Sequence, residues 1–503
     1  MKSLRLIYFL AACQCMAAAE SAQPNFLVIM GEAQGWASMS VPQDDRNAEG
    51  STSSFIRTPN LDSIAQHGIR FSDFYASSPR CTPTRAALFT GRNPARLHMT
   101  FVGETRKEGG VNPGDKVIAP ETTSQVPAGM ETIGTLLKKQ GYATAHFGKW
   151  HVGRENPQQS GFDENDGPNS NGGPDNVDEP NPKQCYAIAN LGMDFMTRQV
   201  RARKPFYLQI SQYPGKQPES ATPEMIESVK RRLGNRLDIV RIGQAAGCEE
   251  IDKTIGLVLA KLKELDALKN TYIIYTADHG AQGRNANGAL TNGKGTVWEG
   301  GLRVPLLVAG PGVKAGEFSH VHASTVDVLP TIMELAGAPP SMLPKDLDGV
   351  SLVGVLKKDP NTPPRRLHDE LVVHFPHYDK DEIGPASAIL YQNWKMIRVF
   401  ETERRMLFDL SKDIGEQKDL AQAEPQVAAA LDSRMTDYLR AVNAGLPKPN
   451  PDYVAGGEKS GDRKGGKGGK GGKGGKGGKP MPMKKEKTEL KAGSNEPGAK
   501  GPV

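Results

Sequence analysis

At 503 residues, 37% of them hydrophobic, the chain is long enough for one large globular domain with a smaller one beside it. Its net charge of +6 resides in the tail: Gly456 to Val503 carries 13 Lys plus Arg against 5 Asp plus Glu, or +8, leaving −2 for the other 455 residues. A near-neutral body excludes reading the overall basicity as a nucleic-acid-binding fold.

Residues 1–22 read as a signal peptide. Lys2 and Arg5 form its basic start, Leu6 to Leu10 its apolar core, and Met16-Ala17-Ala18-Ala19 its small-residue cleavage region. Leu10-Ala11-Ala12-Cys13 also resembles a bacterial lipobox, which would make the chain a lipoprotein anchored through Cys13. Either way the expected location is outside the cytoplasm, periplasmic or secreted. No later run approaches the roughly 18 apolar residues of a membrane span. With Cys13 and Cys15 in the leader, the body keeps Cys81, Cys185 and Cys248, too few for a disulfide framework. Cys185 and Cys248 either pair or stand as two buried thiols.

Apolar runs then alternate with amphipathic stretches over residues 23–365, the pattern of an α/β fold with a large, mostly parallel sheet sandwiched by helices. Pro24 to Met30 is a continuous apolar run, as expected of a strand buried on both faces. Cys81 to Thr90 reads as a helix with Pro83 in its first turn and Gly91 after its end. Thr132 to Gln140 reads as a helix, Tyr142 to Phe147 and Pro205 to Ser211 as strands. Ile251 to Leu268 places apolar residues at helical spacing and feeds a strand from Thr271 to Thr276; Arg303 to Ala309 is a further strand. Residues 366–455 change texture. Leu371 to Phe375, Ala388 to Tyr391, Lys395 to Val399 and Arg405 to Asp409 are short strands before a helix from Gln426 to Val442, an antiparallel α+β subdomain that Lys448 to Tyr453 closes. Residues 456–503, with a GGK repeat from Lys464 to Lys479, carry too few apolar groups to pack a core and read as a disordered tail.

In an open α/β sheet ligands bind beyond the carboxyl ends of the strands. Glu32, Lys149, His151, Lys216, Asp278 and His279 all follow predicted strands there, so acids, imidazoles and ammonium groups collect at one edge. That mixture suits a site binding a cation and an anion together. Cys81, at a helix start, faces unpaired N–H groups that favour negative charge.

The segment Cys81-Thr82-Pro83-Thr84-Arg85, continued by Leu88-Phe89-Thr90-Gly91-Arg92, resembles the C-x-P-x-R signature of the sulfatase family. In the same order Thr58-Pro59-Asn60-Leu61-Asp62, Phe147-Gly148-Lys149-Trp150-His151, Gly161-Phe162-Asp163, Asp278-His279-Gly280, Gly293-Lys294, Glu299 to Pro305 and Gly415-Glu416 resemble family blocks. The resemblance covers about Pro24 to Tyr453 and implies an alkaline-phosphatase-like fold and hydrolysis of an aryl or carbohydrate sulfate ester. It further implies that a formylglycine-generating enzyme oxidises Cys81 to formylglycine, whose hydrated form carries one hydroxyl to attack sulfur and another to expel sulfate. By position, His151 resembles the base, Arg85 and Lys149 the residues that hold the diol, and Lys294 the lysine that grips sulfate. Lys216, Lys294 and His151 are then the substrate-binding set. A divalent cation, Ca²⁺ in most of the family, is implied at Glu32, Asp278, His279 and position 81.

Two positions depart from the family pattern. Glu32-Ala33 replaces a usual pair of aspartates, so Ala33 offers no ligand; Asp44 or Asp45 either supplies one or is a solvated loop acid. Lys216 stands where His is common, and lysine is a poor proton shuttle near neutral pH. Two alternatives follow, a phosphonate or phosphodiester hydrolase of the same superfamily and a catalytically silent fold that binds sulfated glycans. Gly288 to Lys294 matches G-x-x-x-x-G-K, but Gly295 replaces the Ser or Thr a P-loop needs. His374 and His377 either line the substrate mouth or are structural. The lysine-rich tail is a candidate contact for polyanions, and no nucleic acid is expected as a partner.

Overall fold

The computed structural model describes residues 23–102, 111–170, 181–213, 220–234, 238–282 and 286–460. The leader with Cys13, Lys216, and the tail beyond Ser460 lie outside them.

The main sheet contains β1 (Asn25–Gly31), β2 (Gly68–Phe71), β3 (Ala143–Gly148), β4 (Glu164–Asn165), β5 (Phe206–Ser211), β6 (Thr271–Ala277), β7 (Leu306–Ala309) and β8 (Glu317–Ser319), in the order β8-β2-β7-β6-β1-β5-β3-β4. Neighbours are parallel except at β7, which runs antiparallel to β6 and β2. Phe26 on β1 lies opposite Tyr207 on β5 and Tyr272 on β6, which centres the sheet on β1. The helices that cover it include α1 (Pro59–Gln66), α2 (Cys81–Thr90), α3 (Ile133–Lys139), α4 (Cys185–Arg201), α5 (Ile239–Glu264) and α6 (Val328–Leu335).

The continuous apolar run of β1 is explained by burial on both faces. Phe26, Val28 and Met30 pack with Leu88 and Phe89 of α2, Leu136 of α3 and Leu329 of α6. Leu27 and Ile29, pointing the other way, pack with Ile64 of α1, Ile188 of α4 and Ile255 of α5. One strand thus joins two cores, and its carboxyl end must emerge between helix layers.

The predicted elements recur with shifted ends. The helix expected from Ile251 begins at Ile239, capped by Asp238, whose side chain accepts from the Arg241 N–H. Gly243 and Gly247 hide this extension from a periodicity reading, because glycine disfavours helix. Tertiary packing overrides that cost: Ile242, Ala245, Ala246 and Cys248 bury against Phe55, Ile56, Val229 and Leu233. The strand expected from Arg303 begins at Leu306, Arg303 making only a bridge to Tyr75. Cys185 and Cys248 are free, buried thiols and form no disulfide.

The C-terminal strands β9 (Leu371–Phe375), β10 (Ala386–Tyr391), β11 (Trp394–Val399) and β12 (Arg404–Asp409) form an antiparallel meander, followed by α7 (Pro425–Ala441). Leu371, Val373 and Phe375 face Tyr75, Phe101, Val297 and Leu302 of the main body. Val372 and Leu407 face Leu431 and Met435 of α7. Lys395 of β11, fully buried, contacts Glu299 Oε1 at 2.9 Å and Glu416 Oε1 at 2.7 Å, fixing the small sheet to the large one.

The folded body runs further than residue 455. Gly114 N–H donates to the Glu458 carbonyl at 3.0 Å, Ser460 N–H to Asp115 Oδ1 at 2.8 Å, and Lys459 Nζ to Glu401 Oε2 at 3.0 Å. Gly456 to Ser460, assigned to the tail on composition, are therefore strapped to the body. Their long-range partners leave no local signal. Among the described residues no helix is long and apolar enough to cross a membrane.

Candidate active site

Strand ends and one helix start build the site. β1 delivers Glu32, β3 delivers Lys149 and His151, β6 delivers Asp278 and His279, and α2 opens with Cys81. The C-cap of α2, Gly91, has φ 66°, the left-handed backbone that glycine adopts without penalty. Lys294 arrives on a loop pressed against β6. There a Cβ on Gly280 would lie 1.7 Å from the Gly300 carbonyl oxygen, so only glycine admits this approach.

Glu32 is the hub. Its Oε2 accepts from Lys149 Nζ at 2.7 Å and its Oε1 from Lys294 Nζ at 2.8 Å, while Arg85 Nη2 stands 3.6 Å from Oε2. Burial alone would raise its pKa; Lys149 and Lys294 reverse that and hold the carboxyl well below its usual range. Asp278 is also fully buried and accepts at Oδ2 from Arg85 Nε at 3.2 Å and Nη2 at 3.0 Å. Burial, with the Glu32 charge beside it, pushes Asp278 up to about 6. Ala33 supplies no side-chain ligand, but its N–H donates to Asp278 Oδ1 at 3.0 Å from a left-handed backbone of φ 53°.

Cys81 Sγ lies 3.2 Å from His279 Nε2, 3.5 Å from Lys294 Nζ and 3.7 Å from Glu32 Oε1. Burial and Glu32 raise the thiol pKa, yet Lys149, His279 and Lys294 together hold it well below the usual value, so the site favours negative charge at position 81. His279 Nδ1 is 3.0 Å from the Gly280 carbonyl. A carbonyl only accepts, so Nδ1 carries a proton there, and Nε2 is the ring nitrogen that faces the cluster.

Glu32, Cys81, Asp278 and His279 each offer a ligand atom, all within 4.8 Å of one another. Two hard carboxylates, one imidazole and a fourth position with anionic character suit a divalent cation. Asp44 and Asp45 do not complete this set, and Asp44 is not a solvated acid. It is buried and accepts from Arg46 Nε at 2.9 Å, while Asp45 Oδ1 stands 3.2 Å from His320 Nε2.

His151 is buried two residues beyond Lys149, in a left-handed backbone of φ 57°, with its N–H donating to the Asn169 carbonyl at 2.9 Å. Lys216 lies outside the described residues. His374 is structural: its Nδ1 pairs with Ser387 Oγ at 2.6 Å and its Nε2 with the Gly445 carbonyl at 2.8 Å, and burial pushes its pKa down to about 4. His377 Nε2 pairs with Thr100 Oγ1 at 2.8 Å.

The sequence reading missed Arg80 and the residue 379–381 loop. Arg80 precedes Cys81, and its guanidinium grips Asp379 of the small subdomain. Adjacency to Cys81 was a usable signal for Arg80; nothing local marks Asp379.

Residues 24–338 match the family model described as Sulfatase, and residues 292–444 match that described as N-sulphoglucosamine sulphohydrolase, C-terminal. N-acetylgalactosamine-6-sulfatase of Homo sapiens is 33% identical over 494 residues, covering 85% of this chain and 87% of that protein. Arylsulfatase A of Homo sapiens is 30% identical over 510 residues, covering 86% and 91%. The solved structure of Ps i-CgsB in complex with k-i-k-neocarrahexaose superposes with a TM-score of 0.68 at 25% identity, covering 83% of this chain and 93% of that one.

Proposed function

Since this chain belongs to the sulfatase family and hydrolyses sulfate esters, we propose that it does so at residue 81, after conversion of the cysteine to formylglycine, beside a divalent cation. The observation that carries this reading is the convergence of Arg85, Lys149 and Lys294 with Glu32, Asp278 and His279 around Cys81. When formed, the hydrated formylglycine supplies the hydroxyl that attacks sulfur and the one that later expels sulfate. Glu32, Asp278, His279 and position 81 are the residues to hold Ca²⁺, which when bound supplies charge neutralisation at sulfate oxygens.

The remaining roles fall to the chain's own side chains. Lys294 Nζ, between Glu32 and position 81, is suited to hold a sulfate oxygen and to stabilise the departing alkoxide. Lys149 and Arg85 hold the carboxylates in place, and Lys149 also keeps position 81 receptive to negative charge. His151 is the proposed proton acceptor, from its place two residues beyond Lys149 at the carboxyl end of β3, where it resembles the family's base. Lys216 is proposed as a donor to sulfate. The relatives' names, together with the carrahexaose complex, support a sulfated carbohydrate as substrate. Export through the leader, to the periplasm or beyond, and maturation by a formylglycine-generating enzyme complete the proposal.

The test is to produce the protein with and without a formylglycine-generating enzyme, establish the state of residue 81 by peptide mass spectrometry, and measure sulfate release from p-nitrophenyl sulfate. Activity should track conversion, and Cys81→Ala should fold but release no sulfate. Equal rates for matured enzyme and Cys81→Ala would sink the proposal.

A further inference from the structure

Residues 376–383, the loop between β9 and β10, reach from the small subdomain to the rim above residue 81. Two of the loop's aspartates are tied down. Asp379 accepts from Nε and Nη2 of Arg80, the residue before Cys81. It also lies so close to Gly295, the residue after Lys294, that a Cβ there would meet Asp379 Oδ2 at 2.7 Å. Asp381 accepts from Trp298 Nε1 at 3.2 Å and from the Val297 N–H at 3.3 Å. Lys380 stands between these two anchors, so its backbone is held at both sides.

The charges at this rim do not balance. Arg80 is neutralised by Asp379, and Lys149 and Lys294 share Glu32. Lys380 is exposed. Among the described residues it makes no ion pair and no hydrogen bond, and Glu382, the loop's other exposed charge, does not pair with it. Both Lys294 and Cys81 lie within electrostatic reach of Lys380; partial burial, Arg80 and Lys294 push its ammonium toward the neutral form, against a smaller opposing pull from Asp379 and Cys81. A cation without an ion pair of its own, set beside other cations, gains most from an anion that arrives with the ligand. A substrate whose scissile sulfate occupies the Cys81 site would bring its neighbouring substituents to this rim.

We propose that Lys380 binds a second anionic group of the substrate, a carboxylate or a further sulfate carried next to the scissile sulfate ester. This rests on the sulfate-ester reading and narrows it to polyanionic carbohydrates. Lys380 acts as a binding residue and takes no part in bond cleavage. The anchors on either side hold its backbone in place, so the ordering that accompanies the contact is confined to the lysine side chain.

The experiment uses matured full-length enzyme and three substrates: p-nitrophenyl sulfate, a disulfated monosaccharide, and a monosulfated disaccharide containing a uronate. Steady-state kcat and KM are compared for wild type, Lys380→Ala and Lys380→Arg, at low and high salt. The expected result is that Lys380→Ala loses about tenfold more kcat/KM on at least one dianionic substrate than on p-nitrophenyl sulfate, chiefly through KM. Lys380→Arg should recover most of it, and salt should shrink the difference, because the contact is half-exposed. Whichever dianionic substrate shows the loss identifies the second group as sulfate or carboxylate. Equal losses on all three substrates, or none on either dianionic one, overturn the proposal. Wild-type enzyme that releases sulfate from none of them overturns the underlying reading and this one with it.

Discussion

Lys149 Nζ stands 2.7 Å from Glu32 Oε2, and neither side chain is exposed to solvent. A buried pair of this kind is worth little relative to apolar side chains, yet removing one partner leaves a buried charge uncompensated. Lys294 shares the carboxylate and softens that loss, being 11% exposed itself.

Lys149→Met is therefore expected to lower unfolding free energy by about 2–4 kcal/mol, the lower end of this range reflecting the help from Lys294. Urea denaturation of wild type, each single variant and Lys149→Met/Glu32→Gln measures the coupling. The double variant should recover part of the loss. Strictly additive losses would show that the two groups do not act as a pair.

The ligand set predicts that folding and cation binding are linked. A cation bound only by the folded state at 100 times its Kd stabilises by about 2.7 kcal/mol. Added Ca²⁺ should raise Tm and a strong chelator should lower both Tm and sulfate release. Asp278→Asn should weaken the Ca²⁺ response by replacing a charged oxygen ligand with a neutral one. A Tm indifferent to Ca²⁺ in both proteins would count against a cation at these residues.

Glu416 predicts a pH dependence. Burial pushes its carboxyl up to about 7 from an ordinary value of 4.5; Lys395 opposes that rise and Glu299 adds to it. A carboxyl with a raised folded value contributes stability that is fully present below about 4.5 and is lost as pH rises through about 7. Glu416→Gln, which cannot ionise, should gain stability relative to wild type across that window, on the order of 1–3 kcal/mol. The check is the difference in unfolding free energy between the two proteins from pH 4.5 to 8. A difference independent of pH would refute the assignment.

The end of the body predicts unequal truncations. Removing 461–503 should leave turnover of p-nitrophenyl sulfate and Tm unchanged. Removing 456–503 should lower Tm, because it also deletes the contacts of Glu458, Lys459 and Ser460 with Gly114, Glu401 and Asp115. On an anionic polysaccharide column, loss of 461–503 should shift elution to lower salt, since its lysines form a diffuse cation screened by salt. Unchanged elution would leave the tail without a polyanion contact.

Local signals made much of this protein legible from its sequence alone. The unbroken apolar run at β1 announced a strand buried on both faces and placed Glu32 at its carboxyl end, Pro83 and Gly91 bracketed the helix that opens with Cys81, and family blocks in order marked Lys149, Asp278, His279 and Lys294. Each of those signals spans a few residues, and chain order is enough to read it. Only the tertiary structure decided which charges meet. Glu32 is shared by lysines 117 and 262 residues away in the chain, and no periodicity encodes a contact at that separation. The same holds for the His279 ring orientation, set by where the Gly280 carbonyl points, for the early start of α5, held by packing against Phe55 and Ile56, and for Lys380, held at the rim by aspartates docked on the other subdomain. Composition placed the start of the tail at Gly456. Backbone hydrogen bonds to the Gly114–Asp115 turn moved it past Ser460, because a five-residue strap is ordered by its distant partners and not by its own residues.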